Sequence, residues 1–461
     1  MKKTIVLLLV ILSNLAYGQV SNKISKEEKV YGLSKFWQEA NYNFVYMDRV
    51  NREDFDKMYR SLILKVQETE NDYEYYRLLQ RFCAFLKDGH TNVWFPREIQ
   101  DNVLTTDFGD YNVFLSNIEG RAIITRINQS KKDELPIGTE ILKVNGVETK
   151  KYIEENVLPY ISSSTDFIRL NQGVERMLEG YVGTAYDLEV RLPNGKIRPL
   201  KLTHAKSKEK EVFPDLNKEL FEFKWIDKNI AYVALNSFSD WEVSMRFREK
   251  APELLKAKKL IIDLRSNGGG STNIGKEIFK HLTNDTILYG SKAQSRLHIP
   301  VFKAWGKFTT EQDAAGSAWE RQAYLTYRDE YYYDFPYSPD TTSANDIALL
   351  KTSRIVVPTA ILIGNNTASA AEDFLIYADK QKHITRIGEP TYGSTGQPMY
   401  LDLPNGGTGR ICTKKDTYPD GREFVGYGIQ PDITVRKSLA DYMENKDPVL
   451  KAAIEFLKKK N

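Results

Sequence analysis

Residues 365–372 read Asn-Asn-Thr-Ala-Ser-Ala-Ala-Glu, and Ser369 stands where an apolar run gives way to a helical pattern. The run from Ile355 to Ile363 has the composition of a buried strand. Ala370 to Ala378 reads as the helix that follows. A serine at such a junction can serve as a nucleophile. Its hydroxyl sits at an edge, and the first helical N–H groups are unpaired and face whatever binds there. The same residue types also make an ordinary N-cap, so this segment alone leaves both readings open.

A second strand pattern, Lys259 to Arg265, runs into Ser266-Asn267-Gly268-Gly269-Gly270. Three glycines weaken an element end, but they let backbone N–H groups approach a ligand closely. An oxyanion hole for acyl transfer needs such groups. A flexible connecting loop is the plain alternative. A phosphate cradle is disfavoured because the Lys-Ser/Thr that completes a P-loop is missing. A third segment, Phe85 to Trp94, closes a helical pattern with Asp88-Gly89-His90. The chain has five histidines, and His90 is the one presented just past a glycine at an element boundary.

Together, Leu86 to Thr91, Ile262 to Gly270 and Thr367 to Glu372 resemble, in order, the motifs of the C-terminal-processing and tricorn-like serine peptidases, the tail-specific protease superfamily. A fourth match, Gly428-Ile429-Gln430-Pro431-Asp432-Ile433, follows near the C-terminus. The resemblance implies Ser369 as nucleophile, with the amides of Gly269 and Ala370 as the oxyanion hole. The Ser-Lys branch of that family carries its lysine in Gly-x-x-Thr-x-Gly-Lys. The matching run here is Gly388 to Ser394, and Ser394 takes the lysine position. The chain therefore resembles the His-base branch, with His90 as the base. Neutral imidazole, with an ordinary pKa of about 6.5, can take a serine proton near neutral pH. That branch places a glutamate where this chain has Val425. If the stretch is a strand, Glu423 lies on the same face roughly 7 Å away and is the expected acid, with Asp88 and Glu372 as fallbacks.

Met1-Lys2-Lys3, an apolar run from Thr4 to Leu15, and Ala16-Tyr17-Gly18 read as a secretory signal peptide over residues 1–18. No cysteine follows for a lipid anchor, and no other window is long and apolar enough to span a bilayer. A periplasmic or secreted protein is expected. A formal net charge of +3 points to neither nucleic acid nor an acidic membrane as partner. Cys83 and Cys412 are too few for a disulfide framework. Cys83, seven residues before His90, reads as a buried small hydrophobe rather than a catalytic thiol. No Cys/His cluster has metal-ligand spacing, and no cofactor is expected.

The elements that must position these residues read as α/β. By resemblance, the expected fold is a crotonase-like protease core with an N-terminal helical domain and an inserted PDZ-like β domain. The expected boundaries are 19–100 for the helical domain, 101–205 for the PDZ-like domain and 206–461 for the core. A tyrosine-rich insertion at 293–345 either walls a substrate cleft or packs as a surface subdomain. The expected function is a serine endopeptidase acting on peptides or unfolded proteins through a Ser-His (Glu) acyl-enzyme. The alternative is a catalytically silent binding protein on the same fold. An acyl-CoA enzyme fits poorly with secretion.

Overall fold

The computed structural model describes residues 23–460, so the expected signal peptide lies outside the described residues. Three helices open this part of the chain: α1 (Lys26–Asn43), α2 (Arg52–Glu68) and α3 (Asp72–Ala84). Ser25, Asn51 and Asn71 cap them, accepting the N–H groups of Glu28, Asp54 and Glu74. Each cap satisfies a donor that a helix start leaves unpaired. The helically spaced apolar residues are buried as their pattern requires: Phe55, Leu62 and Val66 on α2, and Leu79 and Phe82 on α3. Beyond α3, Lys87 adopts a left-handed conformation (φ 50°). That turn directs the chain through Asp88-Gly89-His90 into β1 (Asn92–Trp94).

The inserted β domain contains β2 (Tyr111–Ile118), β3 (Arg121–Asn128), β4 (Glu140–Val144), then helices α4 (Thr149–Asn156) and α5 (Asp166–Glu175), then β5 (Ala185–Arg191) and β6 (Ile197–Thr203). Its antiparallel sheet runs β6-β5-β4-β3-β2. After β4, Asn145 and Gly146 turn the chain with φ values of 52° and 81°. Two successive positive φ angles are what a two-residue hairpin turn requires, which explains the Asn-Gly pair. Ile124, Val144, Leu188 and Val190 belong to an apolar core confined to this domain.

The third region alternates strand and helix: β7 (Phe221–Trp225), β8 (Ile230–Leu235), β9 (Lys259–Asp263), α6 (Thr272–Phe279), β10 (Lys292–Arg296), β11 (Tyr332–Asp334), β12 (Thr359–Ile363), α7 (Ala370–Ala378), β13 (Ile384–Gly388), β14 (Pro398–Asp402), β15 (Thr408–Cys412), β16 (Lys415–Thr417), β17 (Ile433–Thr434) and α8 (Pro448–Lys459). The main sheet has the order β7-β8-β9-β12-β13-β17, parallel except for β7. Every residue of β8 and β12 is buried, as expected of strands covered on both faces. One face packs on α8. The other shares a continuous apolar core with α1–α3, so the N-terminal helices are packed into the body that carries Ser369. Strand β12 begins at Thr359, later than the apolar run suggests. Pro358 has no N–H to give a ladder, although its carbonyl accepts from Leu260.

Two small sheets tie distant segments to this body. β1 pairs antiparallel with β15, which pairs with β14, fixing the chain just after His90. β10 pairs with both β11 and β16, anchoring the tyrosine-rich insertion beside the core.

Candidate active site

Ser369 lies between β12 and α7 with φ 56° and ψ −122°. A non-glycine residue held there costs of order 1–3 kcal/mol and persists only where its surroundings impose it. The surroundings here are specific. The Ser369 N–H donates to Glu372 Oε2 at 3.0 Å. Thr367, two residues earlier, donates to Leu264 O at 2.9 Å and accepts from Gly364 N. The turn is thus latched to the end of β9. Ser369 itself is half-buried, and α7 behind it is buried along its whole length.

Glu372 is fully buried. Besides Ser369 N, its carboxyl accepts from Thr391 Oγ1 (2.5 Å), Gly393 N (2.8 Å) and Ser394 N (3.3 Å). Burial pushes this carboxyl up to about 8, opposed by the hydrogen bonds it receives. All of these partners are donors; Thr391 Oγ1 itself accepts from Ile429 N. The three backbone amides can only donate and so favour the anion, while the Thr391 hydroxyl keeps a second lone pair.

The glycine loop approaches Ser369 from β9. A Cβ on Gly269 would lie 2.7 Å from Ser369 Cβ and 2.8 Å from Ala368 O, and its φ is +100°. Only glycine fits on both counts. Asp263 and Arg265 hold the strand end. Arg265 forks onto Asp263 and onto Asp447, the N-cap of α8, and Tyr232 donates to Asp263. The Ala370 N–H has no acceptor among the described residues and is free to serve as an oxyanion donor. The expected second donor differs from the reading of the sequence. Gly269 N–H donates to Asn267 Oδ1 at 2.9 Å, while Asn267 Nδ2 is anchored on Leu235 O. Gly270 N–H, next along the loop, has no such partner among the described residues.

His90 sits on the far side of Glu372. Its Nδ1 lies 2.7 Å from Ser394 Oγ. Ser394 N and Ser369 N are both within 3.3 Å of the same oxygen, Glu372 Oε2. The nucleophile, the buried glutamate, Ser394 and the imidazole thus form one connected chain. No hydrogen bond joins His90 to Ser369. The segment is well fixed: Gly89 N donates to Ser164 Oγ (2.9 Å), and Arg410, stacked over Trp94, donates to Gly89 O and Asn92 Oδ1. Burial lowers the His90 pKa to about 4, and the cationic Arg410 and Lys414 push it the same way. Lys414 pairs with buried Asp416 at 3.1 Å.

Glu423 is not beside His90. It pairs with Arg49 at 2.9 Å and Lys415 at 2.5 Å, and these cations lower its pKa against the opposing effect of burial. The strand that would have aligned it with Val425 does not form. Residues 421–424 are irregular and 425–427 turn, and Gly426 and Gly428 have positive φ values that interrupt an extended chain. Asp88 is buried and accepts from Thr91 Oγ1 and Ser164 Oγ; it holds the backbone around His90, not the ring. The group on the ring is Ser394, at the position where the Ser-Lys branch carries its lysine. A residue standing in a catalytic position was the available signal for it. Cys83 is buried, its thiol pushed up to about 12 by desolvation, which excludes a thiolate near neutral pH. Among the described residues, no cluster of His, Cys, Asp and Glu has an arrangement that could hold a metal.

Beside α7 a cavity of about 300 Å³ is lined by Thr272, Asp373 and Lys414 on the core side and by Phe335 and Tyr337 of the insertion. Thr272 and Ser291 donate to Asp373, one helical turn beyond Ser369. Residues 335–337 of the 293–345 segment thus line a cavity next to α7.

Known proteins resemble this chain. The family model described as Peptidase family S41 matches residues 229–435, which include the glycine loop, Ser369 and Ser394. The carboxyl-terminal-processing protease of Picosynechococcus sp. is 22% identical over 433 residues, covering 93% of this chain and 88% of that protein. The chloroplastic carboxyl-terminal-processing peptidase 2 of Arabidopsis thaliana is 27% identical over 270 residues, 57% of this chain and 42% of that protein. Among solved structures, mature CPAF complexed with lactacystin matches with a TM-score of 0.64 at 14% identity, covering 94% of this chain and 97% of that one, a likeness of fold. The molecule is a serine peptidase, a hydrolase acting on peptide or protein substrates. Its residues 229–435 match peptidase family S41, and the relatives named above support a tail-specific protease family.

Proposed function

We propose that the chain is a periplasmic or secreted endopeptidase of the His-base type, with a crotonase-like core (206–461), an N-terminal helical domain (19–100) and a PDZ-like domain (101–205). The observation that carries the reading is the connected chain from Ser369 through Glu372 and Ser394 to His90. Ser369 Oγ attacks the scissile carbonyl carbon and its proton passes to Nε2 of His90. The Ala370 amide, joined by an amide of the 268–270 loop, binds the oxyanion. The tetrahedral intermediate collapses as His90 returns the proton to the leaving amine. Water, deprotonated by His90, then hydrolyses the acyl-Ser369 ester. With Ser394 Oγ accepting from Nδ1–H, Nε2 keeps its lone pair for this work. Neither metal nor cofactor enters these steps.

Two observations favour a second reading, a silent peptide-binding protein: His90 makes no hydrogen bond to Ser369, and the Gly269 amide is already engaged. Both contacts can form on substrate binding, since catalytic hydrogen bonds are often long in unliganded enzymes. The experiment is hydrolysis of an unfolded protein such as reduced casein, with labelling of the serine by a fluorophosphonate. Wild-type protein is expected to cleave and to label at Ser369, and Ser369→Ala to do neither while keeping its melting profile. Peptide binding without cleavage or label at any pH from acid to alkaline would establish the second reading.

A further inference from the structure

A larger cavity, about 650 Å³, is lined by residues 84–88 just before His90 and shares no lining residue with the cavity beside α7. It lies where three parts meet: helices α2 and α3, the start of α5 with the turn before it, and the C-terminal turn at Val425. Its volume falls within the ~300–1,000 Å³ typical of ligand sites. Its wall includes apolar surface from Met58, Phe85 and Leu86. Its charge is one-sided. Arg49, Arg81, Lys87 and Arg169 line it, and among its lining residues Asp88 is the one carboxylate. Asp88 offers little compensation, being buried and held by Thr91 and Ser164.

The cations are largely unspent. Arg49 is paired with Glu423, and Arg169 donates to the carbonyl of Leu158. The side chains of Arg81 and Lys87 make no ion pair or hydrogen bond among the described residues. Lys87 also occupies the left-handed turn that ends α3 (φ 50°). Glycine or asparagine fills such a position at lower cost, so a lysine there puts a charge at the cavity mouth against local preference. Excess positive charge over a concave, partly apolar wall concentrates anions.

We infer that this cavity is an exosite for an acidic, partly apolar segment of polypeptide, remote from the scissile bond. The occupant follows from charge complementarity with Arg81, Lys87 and Arg169, which carry no ion pair among the described residues, from the apolar wall, and from the peptide substrates of the family; the inference rests on the peptidase reading for its use. The floor of the cavity, residues 86–88, leads directly into His90, so an occupied exosite holds a substrate beside the catalytic segment.

The test uses full mature protein carrying Ser369→Ala, so binding is read without cleavage. A fluorescein-labelled glutamate octapeptide is titrated by anisotropy at low and physiological salt. Binding should be saturable and weaken as salt rises. Arg81→Glu with Lys87→Glu should weaken it by at least about tenfold, with Arg81→Lys close to the parent. Both positions are exposed, and an unchanged melting profile excludes misfolding. The inference is overturned if the octapeptide does not bind, if the double reversal leaves binding unchanged, or if inorganic phosphate, an oligonucleotide or phosphatidylserine vesicles compete better than unlabelled octapeptide. Since no turnover is measured, loss of the exosite and loss of the peptidase reading give separate results.

Discussion

The two halves of the active site are held by different means. On the nucleophile side, backbone does the work: a strained serine, an obligatory glycine packed against it, and a buried carboxylate gripping three N–H groups. On the base side, one side-chain contact of 2.7 Å sets the imidazole. The surrounding cations oppose its protonated form instead of stabilising it. In the proposed mechanism a preformed nucleophile is thus served by a base that is held in place but electrostatically discouraged from taking a proton. In the familiar triad a carboxylate does the reverse, stabilising the imidazolium. The difference predicts a site whose geometry survives perturbation better on one side than on the other.

The largest effect tests the base directly. His90→Ala should lower kcat by roughly 10⁶, the order of loss when the general base of a serine hydrolase is removed. In the wild type the active form is neutral imidazole, so activity falls as pH drops through the His90 pKa. That limb should lie near 4, well below the ordinary 6.5, and kcat/KM should be flat from about pH 5.5 to neutral. Because the folded-state pKa lies below the unfolded one, His90 also withdraws stability as pH falls from about 6.5 through about 4. A limb at 6.5 would mean that the imidazole is solvated and uncoupled from Arg410 and Lys414, and the contrast between the halves would fail.

Glu372→Gln attacks the link between them. The glutamine amide must place an N–H₂ against donors from Ser369, Thr391, Gly393 and Ser394. Leaving buried donors unpaired costs about 1–3 kcal/mol each, more than enough to release the strain at Ser369. Turnover should fall by about 10²-fold and the melting temperature by several degrees. A variant with normal stability and activity would show that the cage neither holds Ser369 nor couples it to Ser394.

Much of the nucleophile half was legible in the sequence because it is built from local motifs. A buried strand, small residues and a helix place Ser369; an Asn-Gly-Gly-Gly loop after a second buried strand places the glycines. Those local signals survive into the structure, down to the paired β9 and β12. The expected oxyanion role of Gly269 was less secure, since which way a loop amide points depends on Asn267, a side chain two residues away. The base half is assembled from segments some three hundred residues apart, and spacing carries no information about that. His90 could be named from its motif, but its partner could not. The expectation for Glu423 assumed an extended chain through Gly426 and Gly428, and those glycines turn it. Ser394 was noticed only for the lysine it lacks, although its hydroxyl is what meets the ring.

Ser394→Ala sharpens that point with a smaller effect. Nδ1 would lose its acceptor while the Ser394 N–H stays on Glu372, so the cage should survive. Turnover should fall about tenfold with KM unchanged, as for loss of one orienting hydrogen bond worth roughly 1–1.5 kcal/mol. Ser394→Thr should recover much of it, and neither variant should change the melting temperature by more than a degree or two. A fall in melting temperature without a change in kcat would instead make Ser394 a structural residue.

The smallest expected effect is at Glu423. Its carboxylate bridges Arg49 and Lys415 and is about one-third exposed, a setting in which an ion pair contributes about 0–1 kcal/mol. Glu423→Gln should leave kcat within about twofold of wild type and lower the melting temperature by no more than a degree or two, with the small loss reduced further in high salt. Arg49 also donates to the Val425 carbonyl at 3.5 Å, so the C-terminal turn retains one tether when the charge is removed. Asp88→Asn should exceed it, because that side chain is buried and holds the segment presenting His90. A crippled Glu423→Gln enzyme of normal stability would reverse this order. The loop carrying Glu423 would then have to reorganise on substrate binding, leave Arg49 and Lys415, and bring a carboxylate to His90, turning the discouraged base into a stabilised one during turnover.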